Sequence, residues 1–189
     1  MIKNSSDAWG WPAITLHWVV ALLVIATFTL GLWMGDLPRP ERPYWYAIHA
    51  SMGISLMVIL LARIAWALLN PTPAAVAGVP PWQQKAARFT HLSLYVLTLA
   101  TVLFGWFLAS VKRTPVVPYV LGVVPLSAPV ALGESAEDFL EEAHELAAYA
   151  LMALVGLHAA AALWHHYFLH DDTLRRMLSG NAASNSPRA

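Results

Sequence analysis

The chain contains no cysteine among its 189 residues, and this absence excludes several kinds of site at once. Disulfides, thiolate zinc sites, iron–sulfur clusters and the C-x-x-C-H attachment of c-type haem all require cysteine sulfur. Any haem in this protein must therefore be held without a covalent thioether link to cysteine, and any metal without a thiolate. Nucleotide-binding motifs are missing too, since neither G-x-G-x-x-G nor the P-loop pattern occurs in the sequence.

Charged residues are scarce. They make up 12% of the chain, against about 25% in an ordinary soluble domain. The formal net charge is zero, so no global field attracts nucleic acid. Hydrophobic residues make up 58% of the chain, more than a soluble protein of this size can bury. The composition argues against a water-soluble enzyme, a nucleic-acid binder and a disordered regulator, and it predicts a membrane protein.

Four hydrophobic segments are long enough to cross the hydrocarbon core, which takes about 20 residues of helix. Prolines in the connections between them favour helix ends there. The sequence therefore predicts an all-α membrane protein, a bundle of four transmembrane helices in one domain over residues 1–178. We expect the small, polar tail over 179–189 to be disordered. The predicted spans are Ile14–Met34, Ile48–Leu69, Phe89–Val111 and Leu146–Phe168.

An even number of spans places both ends of the chain on one side of the membrane. Basic residues near the span ends are more numerous on that side, which predicts cytoplasmic termini by the positive-inside rule. The outer side carries most of the acidic residues. The basic residues on the terminal side are Lys3, Arg63, Lys85, Arg88, Arg175, Arg176 and Arg188, and those on the outer side are Arg39, Arg42, Lys112 and Arg113.

The connection between the third and fourth spans, Lys112–Glu142, is unusual because its first part is apolar and interrupted by prolines. Such a segment cannot form a regular helix. We expect it to lie as a lid on the bundle at the outer membrane surface. The later stretch SAEDFLEEAHE predicts a capped start of the fourth helix, with acidic residues at the positive end of the helix dipole.

Histidines within the spans carry the functional prediction, because ionisable groups in a membrane usually face the bundle interior for a reason. Fourteen residues separate His144 from His158, which places both on one face of the fourth helix, about 21 Å apart along its axis. Depth in the membrane suggests two pairs, His17 with His158 and His49 with His144. His91 lies at the depth of His17 and competes with it as the partner of His158.

Two facing imidazoles in an apolar bundle are best explained as axial ligands of a b-type haem. The same step of fourteen residues leads from His17 to Gly31 and from His91 to Gly105, so each glycine leaves room for a porphyrin edge. It also leads from His49 to Arg63, which places a guanidinium where it could meet a haem propionate.

The same residues are compatible with roles that involve no haem. The histidines could be structural residues of a haem-free membrane protein, and the glycines could be contacts between closely packed helices. Zinc prefers four ligands, and each depth offers too few. Arg63 could extend to the cytoplasmic interface without a partner. His91 is a candidate contact for a propionate or a quinone.

The sequence resembles the bacterial cytochrome b561 family over nearly its whole length. The resemblance rests on ITLHWVVALLVI, IHASMGISLMVILLARIAW, THLSLYVLTL and HELAAYALMALVGLHAAAALWHHYF, with DDTLRRM after the last helix. It implies two non-covalent b haems in a multi-pass protein of the bacterial inner membrane. The implied ligand pairs are His17 with His158 and His49 with His144.

The resemblance also implies a function. The best-defined activity in the family is superoxide oxidation at the outer face, with ubiquinone reduced within the membrane. A positively charged surface would attract superoxide, and the acidic residues on the outer side work against it. The alternative is an electron-transfer subunit that serves a separate dehydrogenase or another redox partner protein. Neither function involves nucleic acid.

Overall fold

The computed structural model describes residues 1–76, 78–112, 116–129 and 132–179. Four helices in this part of the chain are long and apolar enough to cross a membrane, so the predicted four-helix membrane bundle is confirmed. Most of the predicted polar tail, residues 180–189, lies outside the described residues. The helices are α1 (Trp11–Met34), α2 (Arg42–Leu69), α3 (Pro81–Val111), α4 (Glu137–Tyr167) and the short α5 (Thr173–Ser179).

Each long helix begins earlier than hydrophobicity alone predicts. A proline stands in the first turn of α1, α2 and α3, where its missing N–H is not needed and its fixed φ suits a helix. At their N-terminal ends, the helices therefore include residues that precede the apolar spans. The fourth begins at Glu137, within the SAEDFLEEAHE stretch predicted to start it and before the apolar span at Leu146, and it ends at Tyr167 rather than Phe168.

The predicted side-chain cap of the fourth helix is wrong. A 3₁₀ turn, Glu134–Ala136, precedes α4, and the residue at the cap position is Ala136, which has no side-chain acceptor. The acidic residues remain favourable, because Glu137 and Asp138 lie in the first turn, near the positive end of the helix dipole.

The long helices pack in sequence, α1 against α2, α2 against α3 and α3 against α4. The most buried side chains between them include Ile54 and Leu60, each 1% exposed. Many large apolar side chains on the outside of the bundle are exposed, including Leu22, Phe89 and Leu157. Such an apolar exterior is the surface that lipid tails cover in a membrane.

The predicted lid contains a short antiparallel hairpin, β1 (Tyr119–Val120) with β2 (Val124–Pro125). Its turn uses positive φ at Leu121 and Gly122, as hairpin turns with right-handed strand twist require. The hairpin lies on α2, because the backbone N–H groups of Tyr119 and Leu121 donate to the Ser51 and Ser55 hydroxyls at 3.0 and 2.8 Å. One helical turn between the serines matches two residues of strand, so both contacts form together.

Substitution of Ser55 by alanine is expected to loosen the hairpin. Ser55 is 8% exposed, and its removal takes the acceptor from the Leu121 N–H, at a cost of about 0.5–1.5 kcal/mol because Leu121 itself is exposed. Hydrogen exchange of the hairpin amides in detergent should become faster than in the unmodified protein. Ser93→Ala is the matched control, because Ser93 lies between α3 and α4, away from the hairpin. Equal exchange in the two variants would contradict this account of the docking.

The opposite end of the bundle is closed by three segments that bind one another. The Asn4 side chain donates to the Pro71 carbonyl, and the Arg176 guanidinium donates to the Ala74 carbonyl. The Trp18 indole N–H donates to the Met177 carbonyl at 2.8 Å. The start of the chain, the connection after α2 and α5 therefore form a cover over the end of the bundle near His17.

Candidate functional site

Two groups of histidines lie inside the bundle at different depths. We call the side of Met1 and Ser179 the terminal side, and the side of the β1–β2 hairpin the hairpin side. On the hairpin side, the rings of His49 (α2) and His144 (α4) face each other with centroids 6.0 Å apart and planes 82° apart. These are the two residues that the sequence pairs by their depth in the membrane.

The separation of the two rings suits one metal ion between them. A metal–imidazole bond of about 2 Å on each side, plus about 1 Å from each nitrogen to its ring centre, gives about 6 Å. The two rings alone make a two-coordinate site, since the described residues contain no group of three or more His, Cys, Asp or Glu side chains that could hold a metal. That donor set fits a haem iron, whose porphyrin supplies the remaining ligands, and does not fit zinc.

Both hairpin-side rings press against glycines of the neighbouring helices. A Cβ at Gly105 would lie 2.7 Å from Cε1 of His144, and a Cβ at Gly31 would lie 3.1 Å from Cε1 of His49. Gly53, one turn after His49, has no atom within 4 Å of its Cβ position and borders open space. The glycines thus lie at the depth that the sequence predicted, and they make room for the imidazoles themselves.

On the terminal side, three histidines form one cluster. The His17 and His158 rings lie 6.3 Å apart with planes at 81°, whereas His91 and His158 are 5.2 Å apart at 68°. Only the first of these two separations equals that expected for two imidazoles on one iron, about 6 Å. His91 is exposed, while His17 and His158 are half-buried. His17 therefore suits ligation better, and His91 lies beside the same site.

Arg63 of α2 lies at this terminal-side cluster, as its step from His49 predicts. Its guanidinium lies near the rings of His17, His91 and His158. Its Nε donates to the Tyr95 hydroxyl at 3.1 Å, and one terminal nitrogen donates to the Ala13 carbonyl at 3.4 Å. The guanidinium is therefore held in place between helices and does not extend freely to the interface.

Tyr95 is a site residue that the sequence did not reveal. It lies one turn after His91 on α3, and its hydroxyl accepts the Arg63 Nε–H group. The guanidinium carbon also lies 5.7 Å from the Tyr95 ring centre, within the range of a cation–π contact. The step of four residues from His91 was the only signal in the sequence, and a tyrosine at that position is equally typical of a packed helix.

One basic side chain on the hairpin side, Lys112, is paired with carboxylates. The Lys112 ammonium lies 2.9 Å from a Glu141 oxygen and 3.4 Å from a Glu137 oxygen. Burial opposes its charged form, but the hydrogen bonds and charges of Glu141 and Glu137 outweigh burial and raise the pKa of Lys112. Arg42 donates through Nε to the Leu37 carbonyl, and Arg113 lies outside the described residues. Lys112 is thus charged but already paired with two carboxylates.

A bundle of four membrane helices with imidazoles paired between them is the arrangement of membrane b-type cytochromes. Comparison with known proteins gives the same class. The family described as prokaryotic cytochrome b561 matches residues 8–180. The chain belongs to the prokaryotic cytochrome b561 family, and it is a bacterial membrane protein of electron transfer that binds b-type haem.

Two curated relatives illustrate the similarity. Cytochrome b561 homolog 2 of Escherichia coli (strain K12) is 32% identical over 182 residues, which cover 95% of this chain and 96% of the relative. A probable superoxide oxidase of Yersinia pestis is 34% identical over 165 residues, which cover 87% of this chain and 92% of the relative. Membership in this family argues against the alternative of a haem-free protein with structural histidines.

Proposed function

We propose that the protein holds two b haems, one at each depth of the bundle. His49 and His144 would bind the haem on the hairpin side, and His17 and His158 the haem on the terminal side. The observation that carries this proposal is the presence of two imidazole pairs, 6.0 and 6.3 Å apart, that share α4. The separations and the near-perpendicular planes support it, and the described residues contain no group of three or more side chains that could hold a metal by themselves.

A haem held by one of these histidine pairs would supply one-electron transfer. The residues around it determine where charge is tolerated. Arg63, fixed by Tyr95 and the Ala13 carbonyl, provides a positive charge that suits a haem propionate on the terminal side. His91 lies within the same cluster and is exposed, which suits a contact to a propionate or to a quinone.

Replacement of Arg63 by alanine is expected to lower the midpoint potential of the terminal-side haem without emptying the site. A nearby cation favours the reduced haem, and its removal costs about 1–2 kcal/mol if the charges lie about 10 Å apart at an effective dielectric of about 20. This corresponds to several tens of millivolts for one electron. A redox titration measures the shift, with Lys85→Ala, the loss of an exposed cation on the same side, as the control. Equal potentials in both variants would contradict a contact between Arg63 and a haem propionate.

We further propose that the electrons come from superoxide and go to ubiquinone. Two superoxide anions lose one electron each and become dioxygen, while one ubiquinone takes up two electrons and two protons to become ubiquinol. The similarity to the Yersinia pestis protein named a probable superoxide oxidase supports this direction. Ubiquinone would enter laterally from the lipid, near His91, Arg63 and Arg88 on the terminal side. We place that side in the cytoplasm, on the distribution of lysine and arginine.

The test mixes superoxide with the purified protein and a soluble quinone in a stopped-flow instrument. The proposal expects haem reduction, and superoxide loss faster than spontaneous dismutation. The His144→Ala variant should lose this acceleration, whereas His166→Ala, a half-buried histidine outside both clusters, should keep it. No acceleration by the unmodified protein would remove superoxide as the donor.

A second candidate donor is a redox partner protein, with this chain as an electron-transfer subunit. The observation in its favour is the pairing of Lys112 with Glu137 and Glu141, which weakens the attraction of an anion to the hairpin side. The same stopped-flow measurement separates the two candidates, because a subunit of this kind keeps both haems but shows no reaction with superoxide.

A further inference from the structure

The same short pattern occurs on α1 and α3, beside the two hairpin-side histidines. The sequences are ATFTLG over 26–31 and ATVLFG over 100–105, each with a threonine and then a glycine one turn later. In both, the threonine hydroxyl donates to the carbonyl one turn earlier, at 2.7 Å for Thr27 and 2.8 Å for Thr101. Neither threonine hydroxyl is therefore directed at a histidine.

The glycine of each pattern leaves the threonine carbonyl accessible, because glycine has no side chain to cover it. Side chains on a helix lean toward its N-terminus, so a residue covers the backbone of the turn before it. Gly105 lacks that cover, and the His144 ring occupies the space against the backbone. The Nδ1–H of His144 then donates to the Thr101 carbonyl at 2.8 Å.

On α1, the histidine ring lies against the equivalent glycine, but the hydrogen bond has not reached ordinary geometry. The His49 ring lies against Gly31, and the backbone carbonyl of Thr27 lies beside that ring. Nδ1 of His49 is buried, and it makes no hydrogen bond of ordinary geometry among the described residues. A buried ring nitrogen without a partner is costly, so the nearby carbonyl is the acceptor that this side of the site offers.

We propose that Thr27 with Gly31, and Thr101 with Gly105, are positioning residues for the hairpin-side ligand pair. Each threonine carbonyl accepts the Nδ1–H of one histidine, and each glycine gives the ring access to that carbonyl. This inference rests on the proposed role of His49 and His144 as haem ligands. The hydrogen bonds keep Nδ1 protonated, which leaves Nε2 of both rings for the iron.

The arrangement predicts an effect on the redox potential. A hydrogen bond from Nδ1 to a carbonyl raises the basicity of a ligating imidazole. A more basic ligand favours the oxidised iron and lowers the midpoint potential. A methyl group at either glycine pushes the ring off its carbonyl, so the midpoint potential of the hairpin-side haem should rise.

The test compares four variants of the full-length purified protein by redox titration and by low-temperature electron paramagnetic resonance. Gly105→Ala brings a methyl within 2.7 Å of the His144 ring, and we expect reduced hairpin-side haem content and an upward potential shift in what remains. Gly31→Ala, at 3.1 Å, should keep its haem and show a smaller upward shift with altered g-values. Thr101→Val keeps the carbonyl and should match the unmodified protein. Gly156→Ala, with open space around its Cβ position, is the control for an added helix methyl.

Two results would overturn the inference. One is an unchanged potential and resonance spectrum in both Gly105→Ala and Gly31→Ala. The other is the same shift in Thr101→Val as in Gly105→Ala, which would assign the effect to the hydroxyl. Failure of the proposed function looks different, because the unmodified protein would then hold no haem that His49→Ala or His144→Ala removes.

Discussion

Replacement of His144 by alanine is expected to halve the haem content of the protein, from two b haems per chain to one. The His144 ring is one of the two imidazoles on the hairpin side, and no other histidine of the described residues lies in ring contact with His49. Loss of one axial ligand leaves the iron with His49 alone in an apolar site. The terminal-side haem should stay, since His158 lies about four helical turns from His144 along α4 and His17 lies at the depth of His158.

Haem content per polypeptide, measured by the pyridine haemochrome assay, checks this expectation. His49→Ala should give the same loss as His144→Ala, because the two rings form one pair. His166→Ala is the matched control and should keep both haems, since the His166 ring contacts Tyr167 and neither cluster. Full haem content in His144→Ala would contradict the assignment of this pair.

The second large effect concerns the choice between His17 and His91. We expect His17→Ala to remove the terminal-side haem and His91→Ala to keep it. The His17–His158 separation of 6.3 Å suits an iron between the rings, whereas the 5.2 Å between His91 and His158 is too short. His158→Ala should lose the same haem as His17→Ala, because both are ligands of one iron in this account.

The same haem assay, joined to a redox titration, separates the two histidines. If His91 only lies beside the haem, His91→Ala should keep the full haem content and shift the midpoint potential. The pairing proposed here is wrong if His91→Ala loses a haem and His17→Ala does not. Loss in both variants would show that His17→Ala or His91→Ala disturbs the cluster as a whole, and a His17→Met variant, which keeps an axial donor, then tells ligation from packing.

The four-helix architecture and the histidine pairs were accessible from the sequence for a simple geometric reason. A helix has a fixed rise and turn, so the step from His144 to His158 already sets their shared face and their distance along α4. Consecutive spans cross the membrane in opposite directions, so the position of a histidine within its span gives its depth. Hydrophobicity could not give the helix starts, because α2 and α3 begin at Arg42 and Pro81, outside the apolar spans.

Contacts between helices were much less accessible. The hydrogen bond between Arg63 and Tyr95 depends on how α2 packs against α3, which no spacing within one helix determines. The docking of the hairpin on Ser51 and Ser55 likewise joins segments far apart in the chain. In the sequence, the prolines of the connection between α3 and α4 showed only that it is not a regular helix.

The assignment of the terminal-side ligands draws on both the sequence and the structure. Depth alone left His17 and His91 equivalent as partners of His158, and the resemblance to a family favoured His17. Ring separations and exposure add a physical distinction between them. The glycines at 31 and 105 were found through their steps from His17 and His91, yet each contacts a histidine of another helix, His49 and His144.

The most direct measurement counts b haems in the purified, unmodified protein with the pyridine haemochrome assay, against a polypeptide concentration from amino-acid analysis. Two imidazole pairs at two depths predict two haems per chain, with two resolved steps in a redox titration. One haem per chain would contradict one of the two pairs, and a protein without haem after expression with ample haem supply would contradict both.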